Sequence, residues 1–114
     1  MNYDDLRNYQ IKERGAFSHL QKVPSTFYDD LHMFMDECIE NSDDDNSLNL
    51  IRSVKVCSDE VKKRRFSKIA NYCVQHVDND NLIYPENILD NERELYDNLI
   101  VVFKNYFSLL DGKE

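Results

Sequence analysis

Residues 61–77 read VKKRRFSKIANYCVQHV, and this stretch decides the fold of the chain. Its second half carries apolar residues that recur three and four positions apart, as on one face of an α-helix. They are Phe66, Ile69, Ala70, Cys73, Val74 and Val77. Its first half carries most of the cations of this region, namely Lys62, Lys63, Arg64, Arg65 and Lys68. The stretch therefore predicts one helix with a cationic half and a half that packs in the core.

The composition of the whole chain favours a single small helical domain. The chain has 114 residues, of which 41% are hydrophobic and 32% charged, with only 2 Gly and 2 Pro. Because β architectures need many turn residues, so few glycines and prolines favour helices. We predict an all-α, bundle-like domain over residues 1–114 with about four to five helices, a long central helix and a broadly apolar C-terminal helix.

Amphipathic segments bounded by capping residues, glycine or proline predict helices at about 3–15, 27–40, 47–77 and 90–110. Ser25 or Thr26 is expected to cap the second helix. The third segment interrupts its apolar face at Ser58, Lys62 and Lys63, so that either the buried side rotates midway or the chain bends near residues 57–59. Because no Gly or Pro stands there, a continuous helix is favoured.

The last predicted helix is apolar around much of its circumference. A surface helix needs an apolar stripe about 100° wide. The apolar residues of this helix exceed that width and are Leu95, Tyr96, Leu99, Ile100, Val101, Val102, Phe103, Tyr106, Phe107, Leu109 and Leu110. Either this helix is central in the fold, or its second face meets another subunit.

Two short links between helices also carry apolar residues. Phe17, Leu20 and Val23 are expected to anchor the link after the first helix. The second link, residues 82–84, reads LIY and is expected to tuck into the core.

Charge and cysteine content limit the classes of function. The net charge of -8 repels nucleic acid from the chain as a whole, so any such contact would be local to residues 62–68. The 3 cysteines are odd in number and widely spaced, which is typical of free thiols in a reducing compartment. Neither a signal peptide nor a membrane span is predicted. We expect the cytoplasm, in association with the nucleoid, for an archaeal source and the nucleus for a eukaryotic one.

No motif predicts catalysis, a metal site or a cofactor. Cys73 and His76 lie one helical turn apart, but a zinc site needs about four ligands in pairs. A buried cysteine beside a surface histidine is the favoured interpretation. We therefore expect no enzyme activity, no metal and no cofactor.

The basic residues 62–65 cover a full turn, so their charges point around the helix instead of forming one patch. One of Arg64 and Arg65 should face inward or toward an interface, where a guanidinium can pair bidentately with a carboxylate. The cluster could contact a phosphate backbone or an acidic partner. Internal pairing with carboxylates of the second or last helix is favoured, because the chain has an excess of acids.

Three segments in fixed order resemble the helical domain of the GINS family of replication factors. They are residues 3–7 with 12–14, residues 20–31 with the pattern L-x-x-[LV]-P-x-x-F-Y, and residues 64–69, RRFSKI. The late segment ELY at 94–96 fits the same layout. The order is similar to that of the archaeal subunit class that places its helical domain first.

The resemblance implies a non-enzymatic scaffold in DNA replication. GINS subunits form a tetramer that joins the MCM helicase and a Cdc45/RecJ-like protein at the replication fork and contacts primase or polymerase. The family pairs this helical domain with a small β-rich domain, which we expect to be absent from residues 1–114.

The resemblance also assigns roles to single residues. Phe27 and Tyr28 would fix the second helix in the core. Arg64, Arg65 and Lys68 would form a basic turn packed between helices or at a subunit contact. Further core or interface positions would be Tyr96, Phe103, Tyr106 and Phe107. The alternative function is a small module that binds nucleic acid or an acidic peptide through residues 62–68.

Overall fold

The structure, a computed structural model, describes residues 1–15, 19–79 and 81–112. This part of the chain contains no strand and consists of helices α1 (Tyr3–Gly15), α2 (Phe27–Glu40), α3 (Asp45–Gln75) and α4 (Asp90–Leu110). The prediction of an all-α domain with a long central helix is confirmed. Phe17, the predicted anchor, lies outside the described residues, whereas Leu20 and Val23 are buried as predicted.

Helix α3 is the element that the other three helices pack against. It has 31 residues and is therefore about 45 Å long at 1.5 Å per residue. Helices α1 and α2 lie along its first half, and α4 lies along its second half. The domain is consequently elongated, with extents of 59 × 22 × 21 Å.

The interior is divided into two apolar clusters along α3. The first contains Leu6, Val23, Phe27, Leu31, Val54, Cys57, Val61 and Leu89. The second contains Leu20, Ile69, Cys73, Val77, Tyr96 and Ile100. From Val61 onward the fully buried positions of α3 recur every fourth residue, at 61, 65, 69 and 73, which turns about 40° beyond one helical turn at each step. The buried face therefore rotates along a continuous helix, as the sequence predicted.

Two predictions about buried residues were wrong. Phe66 and Val74 were expected on the core stripe but are 44% and 45% exposed, because they lie off the winding line of buried positions. In the link before α4, Leu82 and Ile83 are also exposed and do not tuck into the core. Only Tyr84 of that link is partly buried, against the second cluster.

Local hydrogen bonds explain where the helices begin and end. The Asp44 carboxylate accepts the backbone N–H of Ser47 at 2.8 Å, so α3 begins earlier than predicted. Thr26 occupies the cap position of α2, but its hydroxyl donates to the Asp30 carboxylate at 3.0 Å and does not bond the helix backbone. Thr26 is therefore the cap residue as predicted, but without the side-chain hydrogen bond that usually accompanies a cap. Beyond α4, Gly112 adopts a φ of 74°, a conformation that favours glycine.

The first cluster should depend on Phe27. This side chain is fully buried and packs edge-to-face against Tyr9, with ring centroids 5.2 Å apart. We expect Phe27→Ala to lower the free energy of unfolding by about 3–5 kcal/mol, because it leaves a cavity. Urea unfolding followed by circular dichroism measures this. The matched control Phe66→Ala should cost less than about 1 kcal/mol, because Phe66 is largely exposed. Equal losses in the two variants would contradict the packing described here.

Candidate functional site

The side chain of Arg65 is fully buried at the middle of α3, and all five of its N–H donors are used. Nε and Nη2 donate to the two oxygens of the Glu92 carboxylate, each at 2.7 Å. Nη1 donates to the Glu13 carboxylate at 2.7 Å and to the Gln21 carbonyl at 2.8 Å. Nη2 also donates to the Asn87 carbonyl at 3.1 Å. The guanidinium thus joins α1, α3, α4 and two links.

A second buried cation completes the charge balance. Lys68 follows Arg65 by about one helical turn, and its ammonium group binds both the carboxylate and the backbone carbonyl of Glu13. The Glu13 carboxylate also accepts the backbone N–H of Gln21 at 3.1 Å. Two cations and two carboxylates therefore compensate each other in the interior. We call the set Glu13, Tyr28, Arg65, Lys68 and Glu92 the buried ion network.

Hydrogen bonds fix the protonation states around Glu92. Its carboxylate also accepts the Tyr28 hydroxyl at 2.6 Å and the Leu89 backbone N–H at 3.0 Å. Burial alone raises the pKa of Glu92, but the hydrogen bonds from Arg65, Tyr28 and Leu89 outweigh burial and lower it below the usual value. Burial and the adjacent Glu92 carboxylate raise the pKa of Tyr28. At neutral pH, Glu92 is consequently charged and Tyr28 is protonated.

The buried ion network confirms that one of Arg64 and Arg65 faces inward, and it is Arg65. Of the two predicted sources of carboxylates, α4 supplies Glu92, whereas α2 supplies the Tyr28 hydroxyl. The missed partner is Glu13 of α1. Arg65 lies four residues after the buried Val61 and four before the buried Ile69, and this spacing indicates which arginine faces inward. No local pattern pointed to Glu13.

The segments that carry the family resemblance meet at the buried ion network. Residues 12–14 supply Glu13, and residues 20–31 supply Tyr28 and the Gln21 backbone. Residues 64–69 supply Arg65 and Lys68. Segments far apart in the chain are thus joined by direct hydrogen bonds.

The remaining cations of the basic cluster do not form one surface patch. Lys63 is exposed, and Arg64 lies 3.8 Å from the Glu60 carboxylate. That carboxylate also accepts hydrogen bonds from Nε and Nη2 of Arg14, at 2.7 and 2.8 Å. The groove between α1 and α3, of about 530 Å³, consequently presents charges of both signs. Arg65 is fully buried, and Lys68, which lines this groove, is only 6% exposed because its ammonium group binds Glu13.

Helix α4 carries two separate apolar stripes. The first faces α3 and contains the buried Tyr96 and Ile100. The second has residues alternately four and three positions apart, the spacing of a coiled-coil seam. It contains Leu95, Leu99, Val102, Tyr106 and Leu109 and is called the α4 seam below.

The α4 seam is increasingly exposed toward its C-terminal end. Leu95 and Leu99 are partly buried, whereas Val102, Tyr106 and Leu109 are 46%, 60% and 64% exposed. The alternative that α4 is central in the fold therefore does not hold within the described chain. The exposed end of an apolar stripe with coiled-coil spacing can pack against a helix of another chain.

Helix α4 also extends beyond the C-terminal end of α3, the helix against which it packs. The ammonium group of Lys104 donates to the Asn79 carbonyl at 3.2 Å, just beyond the end of α3. Phe107 continues the core stripe but is exposed, since α3 has already ended at Gln75. Phe103, one turn earlier, is partly buried against the second cluster.

The cysteine and histidine candidates are in environments that suit packing. Cys73 is fully buried, and burial raises the pKa of its thiol to about 11, so it is protonated at neutral pH. The His76 ring stacks on Tyr72, with centroids 4.0 Å apart. Over residues 1–15, 19–79 and 81–112, no group of three or more His, Cys, Asp or Glu side chains is placed to hold a metal ion.

Comparisons with protein families, with curated proteins and with solved structures found no match to this chain. Among the helices of the described residues, none combines the length and apolar character needed to cross a bilayer.

Loss of the Arg65 guanidinium should destabilise the fold severely. We expect Arg65→Met to lower the free energy of unfolding by about 3–5 kcal/mol, because it leaves two carboxylates buried with too few partners. Urea unfolding measures the effect. The neighbouring Arg64→Met is the matched control and should cost less than about 1 kcal/mol, since the Arg64 side chain is partly exposed. A similar cost in both variants would show that the buried ion network does not hold the helices together.

The free energy of unfolding should also fall in acid, because the Glu92 carboxylate becomes protonated. Its folded pKa lies below the roughly 4.3 of an unfolded glutamate, so its contribution is complete above that value and is lost as the pH falls through the folded pKa. We expect the urea midpoint to fall between about pH 5 and pH 3. In Arg65→Met the fall should be smaller, because Glu92 there lacks the cation that favours its charged form. Parallel pH profiles of the two proteins would contradict this expectation.

Proposed function

We propose that this chain is a non-enzymatic subunit of a GINS-type complex, a scaffold that helps to join the MCM helicase and a Cdc45/RecJ-like protein at the replication fork. The observation that carries the proposal is the α4 seam, which is apolar and regularly spaced and is exposed to solvent at Val102, Tyr106 and Leu109. A scaffold built from helical subunits needs such a face on each subunit.

The composition of α4 suits contact with another helix. From residue 98 to residue 110 it contains no carboxylate, although the chain as a whole has a net charge of -8. The one cation in that stretch, Lys104, is held by the Asn79 carbonyl. A partner helix packed on the α4 seam would therefore bury apolar surface without burying an unpaired charge.

The buried ion network supports the proposal in a second way. Its hydrogen bonds fix α1 and α4 against α3 at one level, so the α4 seam is presented in a defined orientation. Replacing a buried ion pair by apolar residues is often neutral or stabilising, so such networks are weak evidence for stability. We infer that this one sets helix geometry, which an assembly subunit requires. The family resemblance rests on the same segments.

The alternative, binding of nucleic acid or an acidic peptide through residues 62–68, has less support. Arg65 and Lys68 are engaged in the interior, which leaves Lys62, Lys63 and Arg64 on an acidic protein. Lys63 and Arg64 line the groove between α1 and α3, but Asp59 and Glu60 line it too, so this concave surface is not uniformly basic. Assembly is therefore the function that we propose.

Assembly should depend on the exposed end of the α4 seam. We expect light scattering at tens of micromolar protein to detect an oligomer, formed by the chain alone or with another GINS-type subunit from the same source. Leu109→Asp should shift this species toward the monomer while leaving the helical content unchanged, because it would bury an unpaired charge at the interface.

Ser108→Asp is the matched control, since it adds the same charge to the same helical turn but lies off the α4 seam. It should leave the oligomer in place. A wild-type chain that stays monomeric both alone and with the other subunit would overturn the proposed function, and equal loss in both variants would argue against the seam as the contact.

A further inference from the structure

The net negative charge of the protein is concentrated at the end of the molecule opposite to the tip of α4. Between residues 23 and 51 the chain has no Lys or Arg. The same interval carries the carboxylates of Asp29, Asp30, Asp36, Glu37, Glu40, Asp43, Asp44 and Asp45. This interval forms α2 and the start of α3, which we call the hairpin end, residues 27–50.

A shallow apolar groove lies within the hairpin end. It has a volume of about 190 Å³ and is lined by Phe34, Glu37, Cys38, Asn41, Ser47 and Leu50. Phe34 and Cys38 form a partly buried floor that is continuous with the first apolar cluster. Leu50, at its edge, is 41% exposed, and the Glu37 carboxylate lies at the rim.

The hairpin end carries further exposed apolar side chains outside the lining of this groove. Met33 and Ile39 on α2 and Leu48 on α3 are largely exposed. Helix α1 does not extend over this region, since Tyr3 at its start already lies beside Cys57, with Oη and Sγ 3.8 Å apart. The first turn of α3 and the last turns of α2 therefore share a two-helix surface with an apolar centre and an acidic border.

We infer that the hairpin end binds a basic amphipathic helix of a partner protein. A groove between two adjacent helices accepts the apolar face of a third helix, whose side chains enter at helical spacing. The apolar side chains of that helix would contact Phe34, Cys38 and Leu50, and its Lys or Arg side chains would face the carboxylates. Opposite charges across such a contact accelerate association and exclude partners of the wrong charge.

The negative charge of the hairpin end favours a basic helix over other binding partners. Nucleic acid and anionic membranes are repelled by the carboxylates. A second copy of the same end would bring two acidic borders together, which is unfavourable for the same reason. The inference does not depend on the proposed function, because the α4 seam lies at the opposite end of α3, beside Asn79.

A designed peptide can serve as the probe. We suggest a fluorescently labelled peptide of about 18 residues made of Leu and Lys, with Leu at helical spacing on one face, since shorter helices are marginal in water. Anisotropy titrations of the full chain at about 50 mM salt should show saturable binding that weakens at about 500 mM salt. A peptide of equal charge with Gln in place of Leu should bind at least about tenfold more weakly.

Substitutions locate the binding surface. Leu50→Asp should weaken peptide binding by at least about tenfold, because it places a charge against the apolar face of the helix. Val56→Asp is the matched control: Val56 is also an exposed apolar residue of α3, lies six residues further on, and should leave binding unchanged. Glu37→Lys should weaken binding and reduce its salt dependence. Circular dichroism melting establishes that each variant is folded.

Four outcomes would overturn the inference. The first is no binding of the Leu/Lys peptide at low salt, and the second is equal binding of the Gln peptide, which would show charge attraction alone. The third is a change in oligomeric state on Leu50→Asp without loss of peptide binding, which would make the hairpin end a contact between copies. Loss of binding in Leu109→Asp but not in Leu50→Asp would place the peptide on the α4 seam and likewise overturn it.

Discussion

The buried guanidinium of Arg65 is the constraint on which the arrangement of the helices depends. A charged group removed from water must find charged or hydrogen-bonding partners, because an unpaired charge in the interior is severely destabilising. Arg65 finds these partners in Glu13 of α1 and Glu92 of α4, and in the carbonyls of Gln21 and Asn87. Two helices and two links must therefore reach the middle of α3 together.

The position of this charge divides the domain into two halves. Val61 precedes Arg65 and belongs to the first apolar cluster, whereas Ile69 follows it and belongs to the second. Each half of α3 thus has its own packing partners, and each end of the rod keeps apolar surface uncovered. The two ends differ in charge, since the carboxylates gather at the hairpin end and are missing from residues 98–110 of α4. We infer that the two ends serve different partners.

Much of the fold was predictable because helix formation depends on nearby residues. Capping residues and apolar spacing located α1, α2 and α4 closely, and the lack of Gly or Pro in α3 correctly predicted a continuous helix. The errors within α3 concerned which side of the helix is buried. Phe66 and Val74 fit a helical stripe equally well, yet they are exposed because the elements that pack on α3 change sides along its length. The hydrophobic pattern of one helix does not show where its neighbours lie.

The sequence by itself determined the helices, their approximate ends and the inward turn of one arginine in the pair at 64 and 65. These features follow from hydrogen bonds and side-chain spacing within one or two helical turns. The tertiary structure alone decided that this arginine pairs with Glu13, 52 positions away, and with Glu92, 27 positions away. It also decided that the second apolar stripe of α4 faces solvent. Both outcomes depend on how distant segments pack, and local spacing carries no information about that packing.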